Sequence, residues 1–225
     1  MAIGPIKTSE LKSRILQLAQ TSVYQIKLSP PAAVLSHLRQ NGFDYAADGE
    51  NMELLCNSAV LPGSSLKTHD IVGDFQGVSE KMAYQRMYDE SVDLTFYVDH
   101  DYKVINLFDG WLDYISGQGS GQRLSKNDAL KPSANYRMNY PGYGGDIGYK
   151  TNMSIVKFEK DVSTDRSIFE DDKTFQLTYT LVNAFPKTIV STPISYEGNQ
   201  ILKYSVSMSI QRYVRSVDRI RSNRR

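Results

Sequence analysis

Ser91-Val92-Asp93-Leu94-Thr95-Phe96-Tyr97-Val98 alternates without a break. Val92, Leu94, Phe96 and Val98 fall on one side of an extended chain, and Ser91, Asp93, Thr95 and Tyr97 on the other, because successive side chains of a strand point to opposite faces. A strand with one apolar and one polar face belongs to a sheet that packs on a core from one side only. Directly after it, His100 or Asp101 is placed to cap a helix over about 102–116. Its apolar stripe is Ile105, Phe108, Trp111, Leu112 and Ile115, and Gly117 is its stop.

The same alternation recurs downstream. Phe175, Leu177, Tyr179 and Leu181 line one side of a strand at 174–183, and Leu202, Tyr204, Val206, Met208 and Ile210 one side of a strand at 201–213. A further strand is expected near 151–160. Upstream, Thr8 or Ser9 caps a helix carrying Leu11, Ile15, Leu18 and Ala19, and Tyr24, Ile26 and Leu28 mark a strand. Pro30-Pro31 opens a short helix with Val34, Leu35 and Leu38 that stops at Gly42. Residues 43–50 read as a turn into a strand at 51–57, with Met52, Leu54 and Cys56 on one face. The polar stretch 63–80 reads as a long loop with at most a short strand, and 117–149, rich in Gly, Asn, Ser and Tyr, as a second long loop. No regular βαβ alternation exists, so the fold class is α+β, mainly β, with antiparallel sheets.

Composition narrows the class of function. Of 225 residues 40% are apolar and 23% charged, which excludes a disordered or collagen-like chain, and no run approaches the roughly 20 apolar residues of a membrane helix. Met1-Ala2-Ile3-Gly4-Pro5 lacks the features of a signal peptide, and the lone Cys56 cannot form an internal disulfide; folding in a reducing cytosol is expected. Cys56 reads as a small core residue rather than a nucleophile. His37, His69 and His100 are scattered, Gly117–Gly121 and Gly142–Gly145 lack the strand, helix and Lys-Ser/Thr of a phosphate cradle, and Asp99/Asp101 and Asp171-Asp172 read as solvated acids. No catalytic, cofactor or metal site is expected, and no enzyme.

The net charge of +1 hides an asymmetry. Residues 212–225 hold six arginines against Asp218, whereas the preceding 211 residues hold 20 basic and 24 acidic side chains. The basic tail (Arg215, Arg219, Arg221, Arg224, Arg225) reads either as a frayed, solvated end or as an arm for an acidic partner surface, not as a general nucleic-acid face. Tyrosine is the other bias: of 15, Tyr136, Tyr140, Tyr143 and Tyr149 cluster in the second long loop, at an interface or packed on their own domain. Stacking on single-stranded nucleic acid would need interleaved cations, and between Tyr136 and Tyr149 the sole arginine is Arg137.

The polar faces of the three clearest strands are also biased. Of 14 outer positions, eight are Ser or Thr and two, Asp93 and Lys203, are charged, where a free surface would hold about four charges. Such a face suits a wall that other molecules slide past, and equally the preference of small hydroxyl residues for strands. Neither proline nor a lysine-rich run blocks the edge of strand 201–213, so a neighbouring element or a neighbouring subunit covers it.

Asn57-Ser58-Ala59-Val60-Leu61-Pro62-Gly63 ends a strand before the first long loop, and Phe108-Asp109-Gly110-Trp111 sits in the central helix. Later come Leu181-Val182-Asn183-Ala184-Phe185-Pro186-Lys187, Ile194-Ser195-Tyr196-Glu197-Gly198 and Ser205-Val206-Ser207-Met208-Ser209-Ile210-Gln211-Arg212-Tyr213. In order and spacing the chain resembles the tail tube protein family of T-even-like contractile-tailed bacteriophages. That resemblance implies an antiparallel β-sandwich or small barrel with a flanking helix, six copies closing into a ring with a continuous inner β-barrel, and rings stacking into a tube. It implies a virion protein made in the host bacterial cytoplasm, with sheath, tape-measure, baseplate and tail terminator proteins as partners, DNA passing without specific binding, and no membrane insertion. The alternative within the same fold is a baseplate ring that initiates the tube, and outside it an unrelated soluble binding domain.

Carried onto this sequence, the resemblance implies an inter-ring contact loop with Leu61, Pro62, Gly63, Leu66, Ile71 and Phe75, and a helix around Trp111 that packs against the sandwich, on its outer side or at a subunit interface; Tyr140 and Tyr143 of the tyrosine cluster are further subunit-interface candidates. Lumen-facing candidates are Ser91, Asp93, Thr95, Thr178, Thr180, Ser205, Ser207 and Ser209. The expected organisation is an N-terminal helical arm at 1–21, one sandwich domain at 22–213 with insertions at about 29–50 and 117–149, and the basic tail at 214–225. If the hydroxyl faces line a lumen, Ser205→Lys and Ser207→Lys together will slow genome delivery more than they weaken assembly, since cations there would hold phosphates; unchanged infectivity with intact tubes would place this face elsewhere.

Overall fold

The computed structural model describes residues 21–73, 77, 79–117, 138–142, 148–158, 173–194 and 201–221. Along the chain run β1 (Tyr24–Lys27), α1 (Ala32–Gln40), α2 (Tyr45–Leu54), β2 (Cys56–Ala59), β3 (Ser64–Val72), β4 (Ser79–Tyr88) and β5 (Ser91–Tyr97). They are followed by α3 (Lys103–Ile115), β6 (Thr151–Phe158), β7 (Lys173–Ile189), β8 (Lys203–Ser209) and β9 (Arg212–Arg221). Every strand pairing is antiparallel. The fold class is the expected one, mainly antiparallel β with helices against it.

Strand β7 belongs to two sheets. Its first part pairs with β9 on one side and β6 on the other, giving the order β1-β6-β7-β9. Its last part, Phe185–Ile189, pairs with β8, giving β7-β8-β5-β2. The bend between them falls at Asn183, whose φ of 57° is left-handed, a region that Asn tolerates better than most residues. Its N–H donates to Asn152 Oδ1 (3.1 Å), and its side-chain amide donates to Gln211 Oε1. Gln211 lies where β8 turns into β9, and its own N–H donates to Val182 O (3.1 Å). Two adjacent strands therefore change sheets at the same level.

The inward faces of both sheets meet in one core. Ile26, Met153, Ile155 and Leu181 come from the first sheet, and Val92, Leu94, Phe96, Val206 and Met208 from the second. Helix α3 adds Val104, Leu107, Phe108 and Trp111, with Phe108 between Phe96 (ring centroids 5.4 Å apart) and Tyr204 (6.5 Å). Burying each such large side chain is worth about 1.5–3 kcal/mol. Helix α1 lies against α3 at Gly110, where a Cβ would stand 2.5 Å from Leu38 Cδ2. The stripe of α3 is turned from the expected one: Val104, Leu107, Phe108 and Trp111 are buried, while Ile105, Leu112 and Ile115 are half-buried. No side chain caps the N-terminus of this helix; Tyr102, left-handed at φ 55°, precedes it, while Asp101 meets His100 Nδ1 (2.8 Å) and Lys103 Nζ (3.2 Å).

Several expectations need correction. Residues 45–54 form a helix, not a turn and strand: Met52 is buried while Leu54 is 73% exposed, so they do not share a face. That helix is tied to β1 by Tyr45, whose hydroxyl donates to Leu28 O (2.8 Å), and by Glu53, which accepts the Leu28 N–H (2.7 Å). The stretch 63–80 is not a loop; it holds β3 and the start of β4. The single strand expected at 201–213 is β8, a corner and the start of β9. Arg215, Arg219 and Arg221 thus sit in a paired strand rather than a frayed tail, whereas Arg224 and Arg225, like the helix expected from Thr8 and most of 117–149, lie outside the described residues.

At the shared bend, Asn183→Gly is expected to stay within about 1 kcal/mol of the native chain, because glycine accepts the left-handed backbone freely. Asn183→Val should cost about 2–3 kcal/mol, combining left-handed strain of roughly 1–2 kcal/mol with a lost side-chain hydrogen bond. Urea unfolding of the two variants measures the difference.

Candidate assembly surfaces

The β3–β4 ribbon continues the β2–β5 pair beyond the second sheet. At its root the Asp89 N–H donates to Gly63 O (3.2 Å), and the Gly63 N–H donates to Asp89 Oδ2 (2.5 Å). From there nine residues of β3 pair with β4 in register from Ser64↔Tyr88 to Val72↔Ser79, with a bulge after Lys67. Nearly every residue of the ribbon is exposed on both faces, including Leu66 (62%), Val72 (69%), Met82 (53%) and Tyr84 (66%). An isolated two-stranded ribbon is marginal in water, and this one presents large apolar groups as well. Of the expected contact positions, Leu61, Leu66 and Ile71 are exposed, Gly63 is at the root, Pro62 is buried, and Phe75 lies outside the described residues.

The hydroxyl positions form two faces rather than one. Across β5 and β8, Ser91 stands opposite Ser209, Asp93 opposite Ser207, and Thr95 opposite Ser205, with Thr95 Oγ1 and Ser205 Oγ 3.0 Å apart. Thr188 of β7 extends this face beside Ser207. Thr178 and Thr180 lie instead on the first sheet, opposite Val156 and Ser154 of β6.

Trp111 is wholly buried in its own domain, where its Nε1–H donates to Tyr149 O (3.0 Å), so it holds the fold of the single copy. Tyr149 in turn sits edge-on to Phe185 (5.3 Å), which accounts for one tyrosine of the cluster as core packing. Tyr140 is exposed, and Tyr143 is outside the described residues.

A group that sequence spacing did not bring together appears where the sheets part. Arg86 of β4 donates to Ser64 Oγ (3.0 Å) and to the Tyr213 hydroxyl (3.3 Å), and its guanidinium lies over the rings of Tyr88 (4.9 Å) and Tyr213 (5.7 Å). Tyr213 packs on Tyr88 and Tyr179, both at 5.4 Å. Its hydrogen bond with Ser64, followed by the pull of Arg86 and Arg215, holds the phenol below its ordinary range. With Arg212, Val214 and Arg215 these residues line a recess of about 410 Å³. Arg86 and Tyr213 are 127 positions apart, and the strand register alone joins them.

Burial pushes the Cys56 thiol up to about 11; the Tyr24 hydroxyl donates to its Sγ (3.9 Å), and the thiol itself donates toward Ser58 O (3.4 Å) and Thr95 O (3.5 Å). Among the described residues no three His, Cys, Asp or Glu side chains cluster as metal ligands, and no helix is long and apolar enough to cross a membrane.

The fold is thus a β-sandwich with a ribbon whose apolar side chains are exposed on both faces. Residues 19–216 match the sequence model of the phage tail tube protein family. The chain belongs to that family: it is a structural tail tube subunit, part of the virion tail. No curated protein sequence matches it. Among solved structures it is similar to a chain of the sheath–tube complex of an extracellular contractile injection system (14% identity, 95% of this chain and 100% of the other, TM-score 0.48). It is also similar to a chain from the tube-terminating cap of the anti-feeding prophage (13%, 89% and 92%, 0.49) and to an Hcp protein (11%, 88% and 98%, 0.40).

Iodoacetamide at pH 8 should alkylate Cys56 in the folded chain about 100-fold more slowly than in urea, reflecting the two-unit smaller tendency to form thiolate. The folded thiol titrates above the unfolded one, so its contribution to stability is complete below about pH 9 and lost as pH rises toward 11. Unfolding midpoints compared between the native chain and Cys56→Ser over pH 8–11 read this loss.

Proposed function

We propose that six copies of this chain close into a ring and that rings stack into the tube, the conduit for DNA inside a contractile sheath, with tape-measure, baseplate and terminator proteins as further partners. The observation that carries the reading is the β3–β4 ribbon, exposed on both faces and bearing Leu66, Ile71, Val72, Met82 and Tyr84, which has no reason to persist alone in water. A neighbouring copy supplies the missing cover. Open backbone edges support the same reading: β1 and β9 flank the first sheet, and β2 and the end of β7 the second. Closing sheets across copies removes such edges.

The contiguous hydroxyl face of β5 and β8 (Ser91, Thr95, Ser205, Ser207, Ser209) is assigned to the lumen, where weak phosphate affinity leaves DNA free to move. Thr178 and Thr180, on the other sheet, are assigned to the outer wall. The assembling unit is the domain from residue 22 through β9, with residues 1–21 as an arm. The chain acts by assembly and not by catalysis, and is made in the host bacterial cytoplasm. The tube body takes precedence over an initiating baseplate ring, because the matched family is that of the tube.

Negative-stain imaging of the purified chain at rising concentration should give stacked tubes; single rings would favour the initiator and persistent monomers would overturn the reading. Leu66→Ser, Met82→Ser and Tyr84→Ser combined should abolish stacking while shifting the monomer's thermal midpoint by no more than a few degrees, since these side chains are already in water.

A further inference from the structure

The recess between β4, β7 and β9 gathers three arginines and three tyrosines. Arg86 is held by Ser64, Tyr88 and Tyr213, while Arg212 and Arg215 reach it from the edge strand. No carboxylate among the described residues pairs with any of the three. Guanidinium groups pre-positioned against ring faces are suited to a carboxylate, which they bind through paired N–H donors.

We infer that this recess receives an aspartate or glutamate side chain from a second copy of this chain. The inference rests on the assembly reading above and names one contact within it. Charge complementarity selects the occupant: the first 211 residues carry four more acidic than basic side chains, whereas β9 holds four arginines against Asp218, so the acidic body of another copy complements it. The place agrees, because the recess sits at the root of the ribbon that a neighbouring copy must cover. Nucleic acid fits less well. A passing strand needs a track of spaced cations, whereas these arginines converge on one hollow of about 410 Å³, sized for a side chain.

The test uses the full chain with Arg215→Lys, prepared as an equal mixture of unlabelled and ¹⁵N-labelled protein, assembled and treated with a water-soluble carbodiimide. The reagent takes up the water lost as a lysine amine and a contacting carboxylate form an amide. Mass spectrometry should find the peptide containing position 215 joined to an acidic peptide with mixed labels, meaning from another copy. In parallel, Arg212→Ala with Arg215→Ala should raise the concentration needed for assembly by about tenfold or more and leave the monomer's urea midpoint unchanged. A cross-link confined to one copy, unaltered assembly of the double variant, or short duplex DNA retained by native tubes and released by the double variant would each overturn the assignment. A native chain that never assembles would overturn the tube reading itself, whereas native tubes without the cross-link overturn only the recess.

Discussion

Two strands that run side by side, β7 and the β8–β9 pair, leave one sheet and enter the other at the same level. Neither could do so alone, because a strand that bends while its neighbour continues straight strands a row of buried backbone donors and acceptors. Asn183 meets the demand by taking a left-handed backbone and by exchanging polar contacts with Asn152 and Gln211, so that side chains replace the ladder bonds lost at the corner. From this corner the rest follows. It brings the apolar faces of both sheets onto one core, leaves β9 as an outer strand, and carries Tyr213 and Arg215 to the rim beside the root of the ribbon.

The core is complete within one chain, but the surface is not. Phe96, Phe108, Trp111 and Tyr204 settle the interior without help, and Tyr204 finds its polar partner in Asp109 (2.8 Å). The ribbon and the sheet edges, in contrast, expose apolar side chains and backbone groups to solvent. In the assembly proposed above, folding and association would therefore draw on separate residues, so that a subunit could be stable before it is joined.

What could be read from sequence tracks how one-sided each element is. Val92, Leu94 and Phe96, and Tyr204, Val206 and Met208, are strands with one buried face, and their period of two is plain. The β3–β4 ribbon is wet on both sides, so Leu66 and Ile71 follow no burial pattern and the stretch 63–80 reads as loop. Helix α2 hid behind Met52, Leu54 and Cys56, whose spacing imitates a strand although Leu54 faces solvent. Strand β9 hid behind its arginines: an edge strand rich in arginine looks like a solvated tail until its pairing with β7 is known. Trp111 was ambiguous because large aromatic groups serve interfaces and interiors equally well, and its Nε1–H partner, the Tyr149 carbonyl, is 38 residues away. The arginine–tyrosine recess has no sequence signature, because three separate strands build it.

The Gly63–Asp89 clasp has a mechanical meaning. Nine paired residues at about 3.3 Å each make an arm roughly 30 Å long, pivoted at a glycine and one carboxylate. A lever of that length turns a tilt of a few degrees at its pivot into ångströms of travel at its tip.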